Sequence, residues 1–166
     1  MGTQLFTIGY EGRDLTTFLD CLEENAIDCL VDVREIAFSR KKGFSKTALS
    51  AALEDRGIQY VHAKELGSPT PLRKALKAGG DYGTFFQGME EHLATQRDTI
   101  EKVYAQVQQT RCCLMCYEKL AAMCHRKVVA RKIKERDGNG MEVQHLEETP
   151  GPRSNAGCAL AHRLRT

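Results

Sequence analysis

Apolar positions along this chain alternate between two rhythms. Leu5 to Ile8 is a short apolar run closed by Gly9, which predicts a first strand. Leu15, Phe18, Leu19 and Leu22 then recur at helical spacing behind Asp14, a residue suited to an N-cap. Ile27 to Val33 is almost continuously apolar, as in a strand buried on both faces. Ser45 precedes a second helical pattern through Leu49 and Leu53, ended by Gly57, and Ile58 to His62 reads as a third strand. Gly67, Pro69, Pro71, Gly79 and Gly80 mark the next segment as loop, with one short helix from Pro71 to Ala78. From Thr84 to about Gln109 a single long helical pattern is marked by Phe85, Phe86, Met89, Leu93, Ile100, Val103, Tyr104 and Val107. Cys112 to Tyr117 is strand-like, a helix follows from about Cys124 to Arg136, and Asp137-Gly-Asn-Gly is a turn before a last strand over Met141 to Leu146.

Strands that alternate with helices predict an α/β fold, a three-layer domain with a mostly parallel sheet covered by helices. Residues 1–146 are expected to form that single domain. Residues 147–166 hold two prolines and two glycines with little apolar periodicity, and are expected to pack poorly. In such sheets ligands bind beyond the carboxyl ends of the strands. That rule selects Gly9 and Tyr10, Asp32 to Glu35, His62 to Glu65, and Cys116 to Glu118.

Composition adds limits. The 166 residues are 42% hydrophobic and 28% charged, an ordinary globular balance. No apolar run approaches the roughly 20 residues of a membrane span, so no membrane partner is expected. Met1 to Tyr10 lacks the marks of a secretory signal, and a cytoplasmic location is expected. The seven cysteines are then expected to be mostly reduced. Cys21, Cys29 and Cys112 read as small buried hydrophobes, while Cys158 falls in the tail. The net charge of +2 matters less than its distribution. Basic residues concentrate over 34–46 and again over 111–136, either as one anion-attracting face or as solvated flanks.

The segment from Cys116 to Arg126 carries the densest chemistry. Cys116 and Glu118 fall where a strand ends, and Cys124, His125 and Arg126 fall where a helix begins. A helix start offers free N–H groups and partial positive charge, which lower a thiol pKa and hold an anion. Glu118 and His125 suit proton transfer, and Arg126 suits a grip on phosphate or carboxylate. Three readings compete, a catalytic thiol beside an anion site, a structural or redox pair of Cys116 with Cys124, and a metal site of Cys116, Cys124, His125 and a distant ligand such as His62, against the plain alternative of core cysteines with a surface arginine. No metal ligand is assigned from this spacing. Asp32 and Arg34 share one face of their strand and either join the site or form a salt bridge. The loop from Ser39 to Ser45 places Arg40 where it can close on a phosphate. Phe44 reads either as a stacking platform or as a staple ahead of Ser45.

These phrases together resemble the bacterial and archaeal domain of unknown function 488 family. The resemblance rests on Thr7-Ile-Gly-Tyr10, Val31-Asp-Val-Arg34 with Ser39-Arg40, Phe44-Ser-Lys with Leu49, Tyr60-Val-His62 with Glu65-Leu-Gly67, and Leu114-Met-Cys-Tyr-Glu118 with Cys124-His-Arg126. One departure is Ala37, where the family commonly has proline. The resemblance implies a compact α/β domain and a cysteine-containing site, and names no substrate. Its motif residues are Asp32, Arg34, Arg40, Cys116, Glu118, Cys124, His125 and Arg126.

The expectation is an enzyme of undetermined reaction class. Cys116, Glu118, Cys124 and His125 are its catalytic candidates, and Asp32, Arg34, Arg40 and Arg126 its substrate-binding candidates. Its partner is an anionic small molecule, phosphate-bearing, or a nucleic acid. The alternatives are a nucleic-acid binding or repair module built on the two basic segments, and a metal-binding or thiol redox protein. The sequence names no cofactor and no oligomeric state.

Overall fold

The computed structural model describes residues 3–138 and 140–147. The expected tail therefore lies outside the described residues apart from Glu147, and Cys158 lies outside them as well.

Five strands form one all-parallel sheet: β1 (Gln4–Gly9), β2 (Cys29–Asp32), β3 (Gln59–His62), β4 (Cys112–Cys116) and β5 (Glu142–Leu146), in the spatial order β3-β2-β4-β1-β5. The mostly parallel sheet expected from the alternation is thus fully parallel. Among the described residues the α-helices are α1 (Leu15–Glu24), α2 (Lys46–Asp55), α3 (Thr70–Lys77), α4 (Tyr82–Ala94), α5 (Arg97–Gln109) and α6 (Arg126–Arg136). Side chains alternate across each strand and build two cores. Leu5, Val31 and Leu114 pack with α4, α5 and α6, while Phe6, Leu30 and Met115 pack with α1 and α2. Both layers are needed because β4, at the centre, is buried along its whole length.

Local chemistry explains most helix boundaries. Asp14 caps α1 by accepting from Thr17 N–H at 2.7 Å. Gly57 ends the α2 segment at φ +74°, a conformation that favours glycine. Ser45 stands at the N-cap of α2, but its hydroxyl does not bond the helix. It donates to the Ser39 carbonyl at 3.1 Å and accepts from Ser39 N–H at 3.0 Å, closing the basic loop on itself. Phe44 is fully buried, stacks on Tyr10 at 4.5 Å and lies in the same core as Leu49, so the staple reading holds over a platform open to ligand.

The single long helix expected over 84–109 is two helices, α4 and α5, with the break at Thr95 and Gln96. Thr95 Oγ1 donates to the His92 carbonyl at 2.6 Å and satisfies the end of α4. The helix expected from Cys124 starts at Arg126, after a short 3-10 turn over Ala121–Met123.

Connections leave the sheet in opposite directions at its centre. β1 and β2 lead into α1 and α2 on one face, while β4 leads into α6 on the other. Such a reversal opens a crevice beyond the strand ends.

Candidate active site

A cavity of about 670 Å³ occupies that crevice. Its floor includes Tyr10 after β1, Arg34 after β2, Cys116 and Glu118 at the end of β4, and His125 at the start of α6. Arg73 and Lys77, four residues apart on α3, form part of the facing wall.

Two loops are tied together to make the floor. Tyr10 N–H donates to the Cys116 carbonyl at 3.2 Å, and Glu11 N–H donates to the Tyr117 carbonyl at 2.8 Å. Lys119 N–H returns a bond to Glu11 Oε1 at 2.9 Å. The loops approach so closely that a Cβ on Gly9 would overlap the Glu118 carbonyl. Gly67 is equally constrained, since a Cβ there would overlap the Glu35 backbone. Glycine is therefore required at both positions by space rather than by dihedral angle.

Four donor atoms converge beneath the cavity. The ligand-capable atoms of Cys116, Glu118, Cys124 and His125 all lie within 4.8 Å of one another. Cys116 Sγ lies 3.7 Å from Glu118 Oε1, and Cys124 Sγ lies 3.7 Å from His125 Nδ1. The Cys116 and Cys124 sulfurs are in bonding contact as a disulfide pair, not reduced as expected of the cysteines, with their Cα atoms 7.7 Å apart. His125 Nε2 lies 2.7 Å from the Val33 carbonyl, so that nitrogen carries the proton and donates. Nδ1 is then left as a lone pair facing the sulfurs. Burial depresses the His125 pKa to about 4, so the ring is neutral near pH 7. Burial also raises the Glu118 carboxyl above its ordinary range.

Arg126 lies under this cluster and is fully buried. Its Nε donates to Thr7 Oγ1 at 3.0 Å, Nη2 to the Lys119 carbonyl at 3.1 Å, and Nη1 to the Glu118 carbonyl and to Cys116 Sγ, the latter at 3.2 Å. Its backbone N–H also points at Cys124 Sγ, at 3.3 Å. Burial lowers its pKa to about 10, which still leaves a cation at neutral pH.

Asp32 and Arg34 form a bidentate pair at 2.7 and 2.8 Å. Tyr60 OH adds a bond to Asp32 Oδ2 at 2.6 Å. Burial opposes the Arg34 charge, but the Asp32 bonds and charge outweigh it and raise the guanidinium pKa. Arg34 nevertheless reaches the cavity wall.

The sequence-derived candidates thus separate. Cys116, Glu118, Cys124 and His125 come together, with Arg34 on the adjoining wall and Asp32 and Arg126 buried behind. Arg40 is exposed on the loop before α2 and does not line the cavity. His62 is not in the cluster, because its Nε2 donates to the Arg34 carbonyl at 2.8 Å. Much of the second basic segment is occupied within the fold. Lys132 pairs with Glu90 at 2.7 Å, Arg131 also contacts Glu90, and Arg136 contacts Glu101. Arg73 and Lys77 were not singled out from sequence, although their spacing on a predicted helix places them on one face.

The cavity mouth is apolar. Among the described residues, Ile36, Phe38, Tyr82, Tyr117 and Met123 are exposed and line it, and Leu120 is the one other large apolar side chain left exposed. Among those residues, no helix is long and apolar enough to cross a membrane. No curated protein and no solved structure matches the chain significantly. The family model described as "Domain of unknown function DUF488" matches residues 14–133, most of the chain and nearly all of the site, and the chain belongs to that family.

Proposed function

We propose that the chain is an enzyme acting on an anionic, phosphate-bearing substrate, with Cys116, Glu118, Cys124 and His125 as its reacting centre. One observation carries this reading: reactive side chains and cationic side chains face the same cavity, Cys116, Glu118 and His125 at the floor, Arg34, Arg73 and Lys77 on the walls, with Arg34 paired to Asp32 and Arg73 paired to the lining Glu35 at 3.0 Å. Perturbed groups in a cleft are a recurrent mark of active sites, and both Glu118 and His125 are shifted by burial. Glu118, with its raised pKa, is the group suited to hold and deliver a proton. Arg126 acts as a positioning residue, since its donors are turned into the protein.

The apolar mouth supports a substrate with a flat, poorly solvated part joined to its phosphate, as in a nucleotide. A large exposed apolar patch is uncommon without a function. The ion pairs that α6 makes with Glu90 and Glu101 weigh against an extended nucleic-acid track on that helix.

The test is turnover of a panel of nucleotides, sugar phosphates and short oligonucleotides, followed by mass spectrometry. The expected result is conversion of at least one compound and a loss of about 100-fold or more in Glu118→Gln, the usual scale of acid–base catalysis. Turnover that survives both Glu118→Gln and Cys116→Ser overturns the proposal.

A further inference from the structure

We infer that Cys116, Glu118, Cys124 and His125 form a binding site for a thiophilic divalent cation of the zinc class. This goes beyond the proposed function, because cation uptake does not depend on what the cavity accepts.

The donor set comes first. Two sulfurs, an imidazole nitrogen and a carboxylate oxygen all lie within 4.8 Å of one another. Ligands held at about 2.0–2.3 Å around one tetrahedral ion stand about 3.3–3.8 Å apart, so small side-chain adjustments complete the shell. Thiolate and imidazole ligands favour zinc-class ions over magnesium or calcium.

The surrounding bonds point the same way. His125 donates its other ring nitrogen to the Val33 carbonyl, which fixes the tautomer and aims Nδ1 at the sulfurs. A metal-bound histidine almost always carries such a second bond. Both sulfurs receive N–H groups from Arg126, from its side chain to Cys116 and from its backbone to Cys124. Hydrogen bonds of this kind favour the thiolate, the form that binds metal.

Charge balance adds an independent argument. Arg126 is fully buried, yet no carboxylate lies within ion-pair distance of it among the described residues. Buried cations are normally paired. Two thiolates and the Glu118 carboxylate carry three negative charges, which a divalent ion and Arg126 together neutralise. In the reduced chain each thiol, and Glu118 where it holds a proton, gives that proton up to solvent as the ion binds.

Separation of the backbones weighs against a disulfide as the resting state. The Cα atoms of Cys116 and Cys124 are 7.7 Å apart, outside the usual span of about 4.4–6.8 Å. Two ligands on one ion tolerate that separation. Glu118 is the least buried of the four and stands on the cavity side, so the ion would face the substrate space.

The experiment uses the full untagged chain, reduced, stripped with chelator, and titrated with Co²⁺ and then Zn²⁺. The expected result is uptake of one equivalent of Co²⁺, with the visible bands of a tetrahedral site and a sulfur-to-cobalt charge-transfer band that Zn²⁺ abolishes. Cys116→Ser and Cys124→Ser should each remove about half of that band. Each should weaken affinity by more than the roughly 10–100-fold that loss of an outer partner costs. In the unaltered chain, Zn²⁺ should protect Cys116 and Cys124 from alkylation, a readout that survives if a variant fails to fold. The inference is overturned if the reduced chain takes up neither ion, if the double serine variant binds equally well, or if the two cysteines only form a reversible disulfide. Cation uptake without turnover would retain this inference and remove the proposed function, and turnover by a chain that takes up neither ion would do the reverse.

Discussion

The Arg126 guanidinium lies 3.2 Å from the Cys116 sulfur, although Arg126 is wholly shielded from solvent. One buried arginine thus couples the α6 start to the end of β4 and to the loop after it. Its acceptors are Thr7 Oγ1 and the carbonyls of Glu118 and Lys119. Arg126→Met should destabilise the chain by about 3–5 kcal/mol, because several buried acceptors lose their donor and the thiol loses its cation. Urea denaturation of the reduced chain checks this. Arg126→Lys should recover only part of the loss, since an ammonium cannot span the same acceptors.

Gly9 and Gly12 offer a paired test of why glycine is present. At Gly9 a Cβ overlaps the Glu118 carbonyl, whereas at Gly12 (φ +80°) a Cβ meets nothing within 4 Å. Gly12→Ala should cost about 1–2 kcal/mol through backbone conformation alone. Gly9→Ala should cost at least about 1–3 kcal/mol through overpacking and should also displace Glu118. Chemical denaturation gives the costs. Loss of turnover in Gly9→Ala with retention in Gly12→Ala checks the placement of Glu118.

Removing half of a buried ion pair is costly. Asp32 is fully buried against Arg34 and Tyr60 OH. Asp32→Asn should lower stability by about 3–5 kcal/mol, read from denaturant midpoints at constant slope. A cost below about 1 kcal/mol would show that the pair is not held as described.

Stability should fall in mild acid partly through His145. Its Nδ1 sits 2.6 Å from Thr7 Oγ1, which accepts from Arg126 Nε and keeps its own O–H proton to donate. With the neutral ring protonated on Nε2, Thr7 donates to His145 Nδ1. Burial depresses the His145 pKa; Arg126 and Lys127 add to this, and Glu147 opposes them. The unfolded chain then binds the proton first. This contribution is complete above about pH 6.5 and is lost as pH falls from there through the lower folded-state value. His125 adds a slope of the same sign, so the comparison that isolates His145 is the native chain against His145→Gln, which should show a shallower loss.

Lys77 and Arg40 should differ in effect, although both are exposed cations. Lys77 lines the cavity and Arg40 does not. Lys77→Glu should weaken binding of a phosphate-bearing ligand by about tenfold or more, roughly 1.4 kcal/mol. Arg40→Glu should leave it nearly unchanged. Calorimetric titration distinguishes them, and each substitution should alter folding stability by less than about 0.5 kcal/mol.

Most of the fold was legible because strand and helix periods were distinct. The α4–α5 break was hidden by phase: Leu93 and Ile100 are seven residues apart, the spacing of one continuous helical face, and both are buried in the same core. The cluster was legible as a set because strand end and helix start lie close in the chain. Its internal roles were not. Arg126 reads from sequence as a ligand grip at a helix start, but its side chain turns inward beneath the loop, a direction that spacing does not encode. Arg40 lies in a motif segment, yet its loop closes through Ser39 and Ser45 and leaves it outside the cavity. Glu118 as neighbour to both sulfurs, and Arg73 and Lys77 as wall, depend on tertiary approach alone.

The central claim is that one cavity joins the cationic wall to the thiol floor. Its most direct test is the alkylation rate of Cys116 in the reduced, metal-free chain, with and without the tightest-binding phosphate compound. At ten times Kd the ligand should slow alkylation about tenfold by mass action. Lys77→Glu, binding about tenfold more weakly, should leave only about a twofold slowing at the same ligand concentration. A compound that binds and leaves Cys116 alkylation unchanged would contradict the claim.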